Sequence, residues 1–259
     1  MSRQRLGQHF LTQGSILERI AGAACPEREP LVIEIGPGRG ALTSRLVERA
    51  DRVIAIEIDS GLVGSLGEKF DNEPRVTLIH GDALEMDLGQ WGDAAVAGNL
   101  PYYAATPIIE KTLALGAQIR RAVFLVQKEV AARLTARPGT RDYGYLSVKT
   151  QFMAEAKALF DVGPSAFRPA PKVDSTLVRF EPHNRAAELR IGDPARFLAF
   201  VSLCFRQKRK TLRNNLAGTY GRDALDGWPE GAKRAEELTL EQFAELYRFL
   251  YREPGGQNA

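Results

Sequence analysis

The chain has 259 residues, 44% hydrophobic and 26% charged, enough for one large domain plus a small one around a full core. No apolar run approaches the roughly 20 residues of a membrane span, and no apolar stretch fit for a signal peptide follows the basic start Met1-Ser2-Arg3-Gln4-Arg5. Cys25 and Cys204 lie too far apart for a disulfide framework or zinc spacing, and net charge is only +3. The expected setting is therefore the cytoplasm, with no membrane and no metal.

Short apolar runs alternate with helical stretches. In chain order, the predicted strands are 31–35, 52–56, 75–79, 94–97, 122–126, 146–153 and 175–180; the predicted helices are 15–24, 41–49, 60–70, 107–115 and 129–135. Alternation of this kind implies a mostly parallel, doubly wound α/β sheet. The last two strands are joined by the Pro-rich loop from Gly163 to Pro171, which predicts an antiparallel, hairpin-like end. The polar segment from Glu181 to Pro194 reads as a linker. A small helical domain follows, giving predicted units 1–183 and 184–259. Phe197, Phe200, Val201, Cys204 and Phe205 make a helical stripe in it. Arg206, Arg209, Lys210 and Arg213 fall on one face of that helix, or of a second one after a break. Lys208 lands on the apolar stripe, which places the break near it. A further amphipathic helix spans 238–251, entered at Thr239 with Gln242 three residues on. The tail from Glu253 to Ala259 reads as frayed.

Charge is distributed unevenly. From Pro194 to Arg222 no acidic residue occurs, whereas Arg196, Arg206, Lys208, Arg209, Lys210, Arg213 and Arg222 are basic. The first 17 residues also lack acids. Clustered positive charge fits a phosphate backbone, and taken alone it fits a solvated helix face equally well.

The first strand runs into Glu34-Ile35-Gly36-Pro37-Gly38-Arg39-Gly40-Ala41. Glycines between a strand and a helix let a ligand approach the backbone. Glu57, beside Ile58 at the end of the second strand, lies about 20 residues beyond Gly36, where an acid reaches a ribose diol. Asp82, beside Ala83 after the third strand, can accept from an adenine amino group, and Asn99 follows the fourth strand. Gly36, Gly38 and Ala41 also fit a dinucleotide pattern. However, Glu34, two residues before the first glycine, suits the amino group of a methionine moiety and would repel a pyrophosphate. Asp82 and the loop at Asn99 have no evident role with a dinucleotide. These landmarks favour S-adenosyl-L-methionine.

That loop is Asn99-Leu100-Pro101-Tyr102. An amide oxygen and a loop carbonyl can accept both protons of an exocyclic amino group, and a tyrosine ring can stack on the base that carries it. Enzymes acting on a base must grip its edge and face in this way. Asn and Pro alone also mark an ordinary turn.

With these landmarks, Leu6-Gly7-Gln8-His9-Phe10-Leu11, the run from Phe167 to Ser175 and the basic run from Phe205 to Leu216, the chain resembles the RsmA (KsgA) family of ribosomal RNA adenine dimethyltransferases over nearly its whole length. The resemblance implies a Rossmann-like, S-adenosylmethionine-dependent methyltransferase sheet of seven strands with a small helical C-terminal domain. It implies that His9 and Leu11 touch the cofactor together with Gly36, Glu57, Asp82 and Asn99, and that His9 stands where the family often has Asn. It also implies the substrate: two adjacent adenines in a hairpin loop near the 3′ end of 16S rRNA, dimethylated in a 30S assembly intermediate. The target base is then expected between Tyr102 and Phe167, gripped by Asn99 and the Leu100 carbonyl. Arg206, Lys208, Arg209, Lys210 and Arg213 are expected on RNA, with the protein a monomer. Two alternatives are an Erm-type methyltransferase of large-subunit rRNA and a ribosome-assembly factor in which catalysis is secondary.

Overall fold

A two-residue strand, β1 (Phe10–Leu11), and helix α1 (Gly14–Ala24) open the described part of the computed structural model, residues 9–251. The basic start, Leu6-Gly7-Gln8 and the tail from Glu253 lie outside the described residues. Helix α1 buries Leu17, Ile20, Ala21 and Ala24, the one-sided spacing of an amphipathic helix. Then β2 (Val32–Ile35), the short α2 (Thr43–Leu46), β3 (Val53–Glu57), α3 (Ser60–Phe70), β4 (Val76–His80), β5 (Ala94–Asn99), α4 (Ala105–Ala114) and β6 (Ile119–Gln127) follow. The chain continues through α5 (Lys128–Leu134), α6 (Tyr145–Met153), β7 (Ala154–Val162), β8 (Phe167–Arg168) and β9 (Ser175–Pro182). Last come α7 (Pro194–Cys204), α8 (Leu212–Tyr220) and α9 (Leu240–Leu250).

Seven strands form one sheet in the order β4-β3-β2-β5-β6-β9-β7. Pairing is parallel from β4 to β6, and β9 runs antiparallel to both β6 and β7. This is the expected α/β sheet with an antiparallel end. Every residue of β2 and β3 is buried, as parallel strands covered on both faces require. A second, two-stranded sheet pairs β1 with β8, setting Phe10 opposite Arg168 and Leu11 opposite Phe167. Thr12 N donates to Ala166 O at 2.9 Å and extends this clasp.

Three expectations are corrected. The run 146–153 is helix α6, not a strand; the seventh strand is β7, which follows it directly. The helix expected over 41–49 is regular only over Thr43–Leu46, because Gly36, Gly38 and Gly40 all take positive φ and hold the preceding segment as an open loop. The basic run is not helical: α7 ends at Cys204 and α8 starts at Leu212, so Arg206, Lys208, Arg209 and Lys210 lie on the connection and Arg213 on α8. The break expected near Lys208 is there.

The chain divides into two units. One runs to Ala132 and resumes over Ala154–His183; the other takes Arg133–Met153 and the chain from Asn184. The segment Arg133–Met153, expected in the first unit, thus goes with the second. The reason is its side chains: Tyr143, Val148 and Phe152 join a core with Phe197, Phe200, Leu216 and Phe243. Ala186, Leu189 and Ile191 of the expected linker are buried there too. Asp193 caps α7 through Arg196 N at 2.9 Å, and Thr239 and Gln242 form the expected capping box of α9.

Candidate active site

Strands β2, β3, β4 and β5 bring their carboxyl ends side by side, where open α/β sheets bind ligands. The glycine loop leaves β2 there. Gly38 has φ +59°, and a Cβ on it would stand 3.1 Å from the Phe10 ring. The Arg39 guanidinium lies 4.7 Å from the centroid of the same ring. The loop therefore carries Phe10 of the N-terminal segment directly on its backbone.

Glu57 closes β3 and is fastened by backbone donors. Its Oε2 accepts from Gly38 N and its Oε1 from Asp59 N, each at 2.9 Å. Burial holds its carboxyl above the usual range, against these two donors. Each oxygen keeps a further lone pair for a ligand hydroxyl. Asp82 accepts from Leu84 N at 2.8 Å, which shapes the turn after β4.

Glu34 is different. It is only 1% exposed, and its Oε2, like the nearby Thr43 Oγ1, is buried without a hydrogen-bond partner among the described residues. Burial pushes its carboxyl up to about 7; the Thr43 hydroxyl and the Lys69 charge oppose this, and the Glu57 carboxylate adds to it. An unpaired buried acid lining a cavity is a socket for a cation.

Beyond β5, Asn99 Nδ2 donates to the His9 carbonyl at 3.0 Å. That contact fixes the amide, since the reverse orientation would set two carbonyl oxygens against each other. Oδ1 is thereby left as an acceptor that no described residue engages. Leu100 N donates to Leu125 O at 3.2 Å and anchors the loop on β6. His9 Nδ1 is 2.8 Å from Pro169 O, and the His9 and Tyr102 ring centroids are 5.7 Å apart. The Tyr102 hydroxyl approaches Ser175 Oγ at 3.5 Å.

Three recesses meet at Gly36, which lines all of them. One brings Asn99, Leu100, Pro101, Tyr102 and Phe167 together with His9, Gly38, Glu57 and Ile58. The second collects Leu11, Glu34 and Asn99, and the third Ile58, Asp82 and Ala83. The residues expected to hold the cofactor and the base thus line three recesses that share Gly36. Phe167, although it lines the first recess, is only 1% exposed and sits in the core beneath the sheet's covering helices.

The family model for ribosomal RNA adenine dimethylase matches residues 1–251. The chain belongs to the ribosomal RNA adenine dimethylase family. It is 44% identical to the ribosomal RNA small subunit methyltransferase A of Acidobacterium capsulatum over 258 residues, 96% of this chain and 91% of that one. With the same-named protein of Aromatoleum aromaticum it shares 41% over 257 residues, 96% of this chain and 94% of that one. A dimethyladenosine transferase structure from Plasmodium falciparum superposes with a TM-score of 0.81 at 25% identity, covering 92% of this chain and 96% of that chain. The 23S rRNA methyltransferase ErmE gives a TM-score of 0.71 at 30% identity, covering 94% and 100%.

As a member of this family the chain is an S-adenosyl-L-methionine-dependent enzyme, and its residues fit that cofactor. The orphaned Glu34 oxygen suits the amino group of the methionine moiety, Glu57 a ribose diol and Asp82 an adenine edge. Sequence reasoning missed three neighbours of this site: Phe10, which covers Gly38; Tyr103, 64% exposed and lining two of the recesses; and Lys69, which donates to the glycine loop. The place of Tyr103 right after the tetrapeptide was a usable signal; Lys69 gave none, since only the fold carries α3 back to that loop. The basic residues belong to the other unit. Of these, Lys208 donates to Arg141 O at 2.7 Å and Arg213 pairs with Asp226 at 2.6 Å. Arg206, Arg209 and Lys210 have no side-chain partner among the described residues.

Proposed function

We propose that this protein transfers methyl groups from S-adenosylmethionine to N6 of two adjacent adenines in a hairpin loop near the 3′ end of 16S rRNA, within a 30S assembly intermediate. The products are N6,N6-dimethyladenosines. The proposed setting is the cytoplasm, with the protein acting as a monomer and without a metal. The small-subunit names of relatives at 41% to 44% identity support this choice over a large-subunit substrate.

The observation that carries the reading is Asn99. Its amide is turned by the His9 carbonyl so that Oδ1 is the open acceptor, in the recess shared with Tyr102 and Phe167. When bound, S-adenosylmethionine supplies a methyl group on a positively charged sulfur. Asn99 Oδ1 and the Leu100 carbonyl accept the two N6 protons, which weakens conjugation of the lone pair with the ring and aims it. Tyr102 and Phe167 clasp the base, and stacking worth about 1–3 kcal/mol per base offsets an unstacking cost of a few kcal/mol. The ring faces also stabilise positive charge developing on N6. Positioning of this kind supplies much of the rate. Each transfer would leave S-adenosylhomocysteine as the thioether product and release one N6 proton to solvent; after the first, one N–H remains, and one acceptor suffices to hold it for the second.

The test is methyl transfer from labelled S-adenosylmethionine to 30S particles lacking adenine dimethylation, beside fully modified 30S and undermethylated 50S. Label recovered as N6,N6-dimethyladenosine in the undermethylated 30S alone is expected. Label in 50S would favour an ErmE-like substrate. Cofactor binding without transfer to any particle would favour an assembly factor.

A further inference from the structure

Lys69 stands in the last turn of α3 and is an exposed residue, yet its ammonium is committed to the glycine loop. Nζ donates to Gly40 O at 2.8 Å and to Arg39 O at 3.1 Å. The fit of α3 on this loop is close: Gly40 has φ +70°, and a Cβ there would stand 2.6 Å from the Phe70 ring and 2.9 Å from Leu66. The loop is thus held from two sides by opposite charges. The Glu57 carboxylate takes its Gly38 N–H, and the Lys69 ammonium takes its next two carbonyls. Between these clamps lies the segment that lines the recess of Glu34.

Among the described residues, three charged groups bear on Glu34 or line its recess. Glu57 bears on it from β3, Lys69 from α3, and Arg39 lines its recess. Arg39 is stacked on Phe10, and Glu57 repels. Among the described residues, Lys69 is the cation whose charge favours the ionised form of Glu34.

We propose that Lys69 is a positioning residue for the methyl donor: its ammonium locks the glycine loop that lines the Glu34 recess and supplies a counter-charge to Glu34, the residue set for the donor's amino group. This rests on the S-adenosylmethionine reading of the Glu34 recess. The two effects separate by pH. A loop lock alone weakens binding by the same factor at every pH. Loss of the counter-charge makes Glu34 harder to ionise, so binding suffers most on the acid side.

The experiment titrates S-adenosylmethionine and S-adenosylhomocysteine into wild type, Lys69→Met and Lys69→Arg by calorimetry from pH 6 to 8.5, with circular dichroism confirming the fold. Lys69→Met keeps the stem without the charge; Lys69→Arg keeps the charge. The expected result is a Kd raised about tenfold in Lys69→Met near neutral pH, more at pH 6 than at pH 8, with Lys69→Arg recovering most of it. Unchanged affinity in Lys69→Met, or a loss equal at every pH, overturns the counter-charge role. Wild type that binds neither compound overturns the cofactor reading itself, and the inference with it.

Discussion

Asn99 and His9 are joined by one hydrogen bond, Nδ2 to the His9 carbonyl at 3.0 Å, across ninety positions of sequence. The bond couples the amide proposed to grip the base to the N-terminal segment, which β1 in turn holds on β8. Asn99→Ala removes both the acceptor and the tether. It is expected to lower single-turnover methyl transfer on the order of a hundredfold or more, as losing one oriented hydrogen-bonding group does elsewhere. S-adenosylhomocysteine affinity should stay within a few-fold. Asn99→Asp keeps an acceptor but sets a carboxylate oxygen against the His9 carbonyl, so it should fail as well. Activity surviving in Asn99→Ala would remove Asn99 from the reaction.

Phe167 has two duties that pull apart under substitution. Its ring is buried opposite Leu11 and also lines the recess of Asn99 and Tyr102. Phe167→Ala is expected to cost about 3–5 kcal/mol of stability, so a loss of activity there would be uninformative. Phe167→Leu retains apolar volume and loses the stacking face. It should lower kcat/KM for RNA by about 1–3 kcal/mol with a small change in melting temperature and none in cofactor affinity. Full activity in Phe167→Leu would leave Phe167 as packing alone.

Much of this site is legible in the sequence because its chemistry sits at strand ends, where a buried apolar run stops and a Gly, Asp or Asn begins. Gly36, Glu57, Asp82 and Asn99 are all placed that way. What the sequence obscures is set by tertiary context. Helix α6 carries Val148 and Thr150 because it is buried, and this β-branched composition reads as a strand. Strand β7 is the sheet edge next to β9, half open to solvent, so its sequence Ala154–Val162 has no apolar run to announce it. The register that brings Phe10 onto Gly38, and the bond from Lys69 to Gly40, are long-range facts with no local pattern.

Glu34 predicts a pH dependence with a definite sign. Burial raises its carboxyl to about 7 from an ordinary value of 4.5. In the cofactor-free protein the ionised form is disfavoured, so this residue's penalty is absent below the ordinary value and grows as pH rises toward 7. The full penalty is on the order of 3 kcal/mol. Glu34→Gln should therefore raise the cofactor-free Tm more at pH 8 than at pH 5, and weaken S-adenosylmethionine binding at both. Wild-type affinity should fall as pH drops below about 7, because Glu34 must then release a proton to pair with the ligand's amino group. Melting curves and calorimetry with proton-release analysis check both; a Glu34→Gln gain independent of pH would exclude an ionised Glu34 near neutrality.

Asn215 predicts a structural dependence in the helical unit. It is buried on α8, donates from Nδ2 to Cys204 O at 2.9 Å and Gln207 O at 3.1 Å, and accepts at Oδ1 from Gln207 N at 3.1 Å. These bonds satisfy the backbone of the connection that carries Arg206, Lys208, Arg209 and Lys210. Asn215→Ala leaves the buried Cys204 carbonyl and the part-buried Gln207 backbone without these partners, at about 1–3 kcal/mol for the buried group and less for the others. The expected outcome is a clear drop in Tm and weaker RNA binding, with S-adenosylhomocysteine affinity unchanged. RNA binding at wild-type strength in the folded variant would mean that the shape of this connection does not matter for RNA.

The basic residues should not contribute equally. Arg213 is paired with Asp226 and Lys208 lies 3.8 Å from Glu236, so part of their charge is already answered within the protein. Arg206, Arg209 and Lys210 have no such partner among the described residues. Each phosphate contact contributes about 0.7 to 0.9 to the slope of log K against log salt. Replacing Arg206, Arg209 and Lys210 together with Gln is therefore expected to flatten the slope for 30S rRNA binding by about 2. The pair Lys208→Gln and Arg213→Gln should flatten it less and cost some stability. An unchanged slope in the triple variant would place the RNA-binding surface elsewhere on the protein.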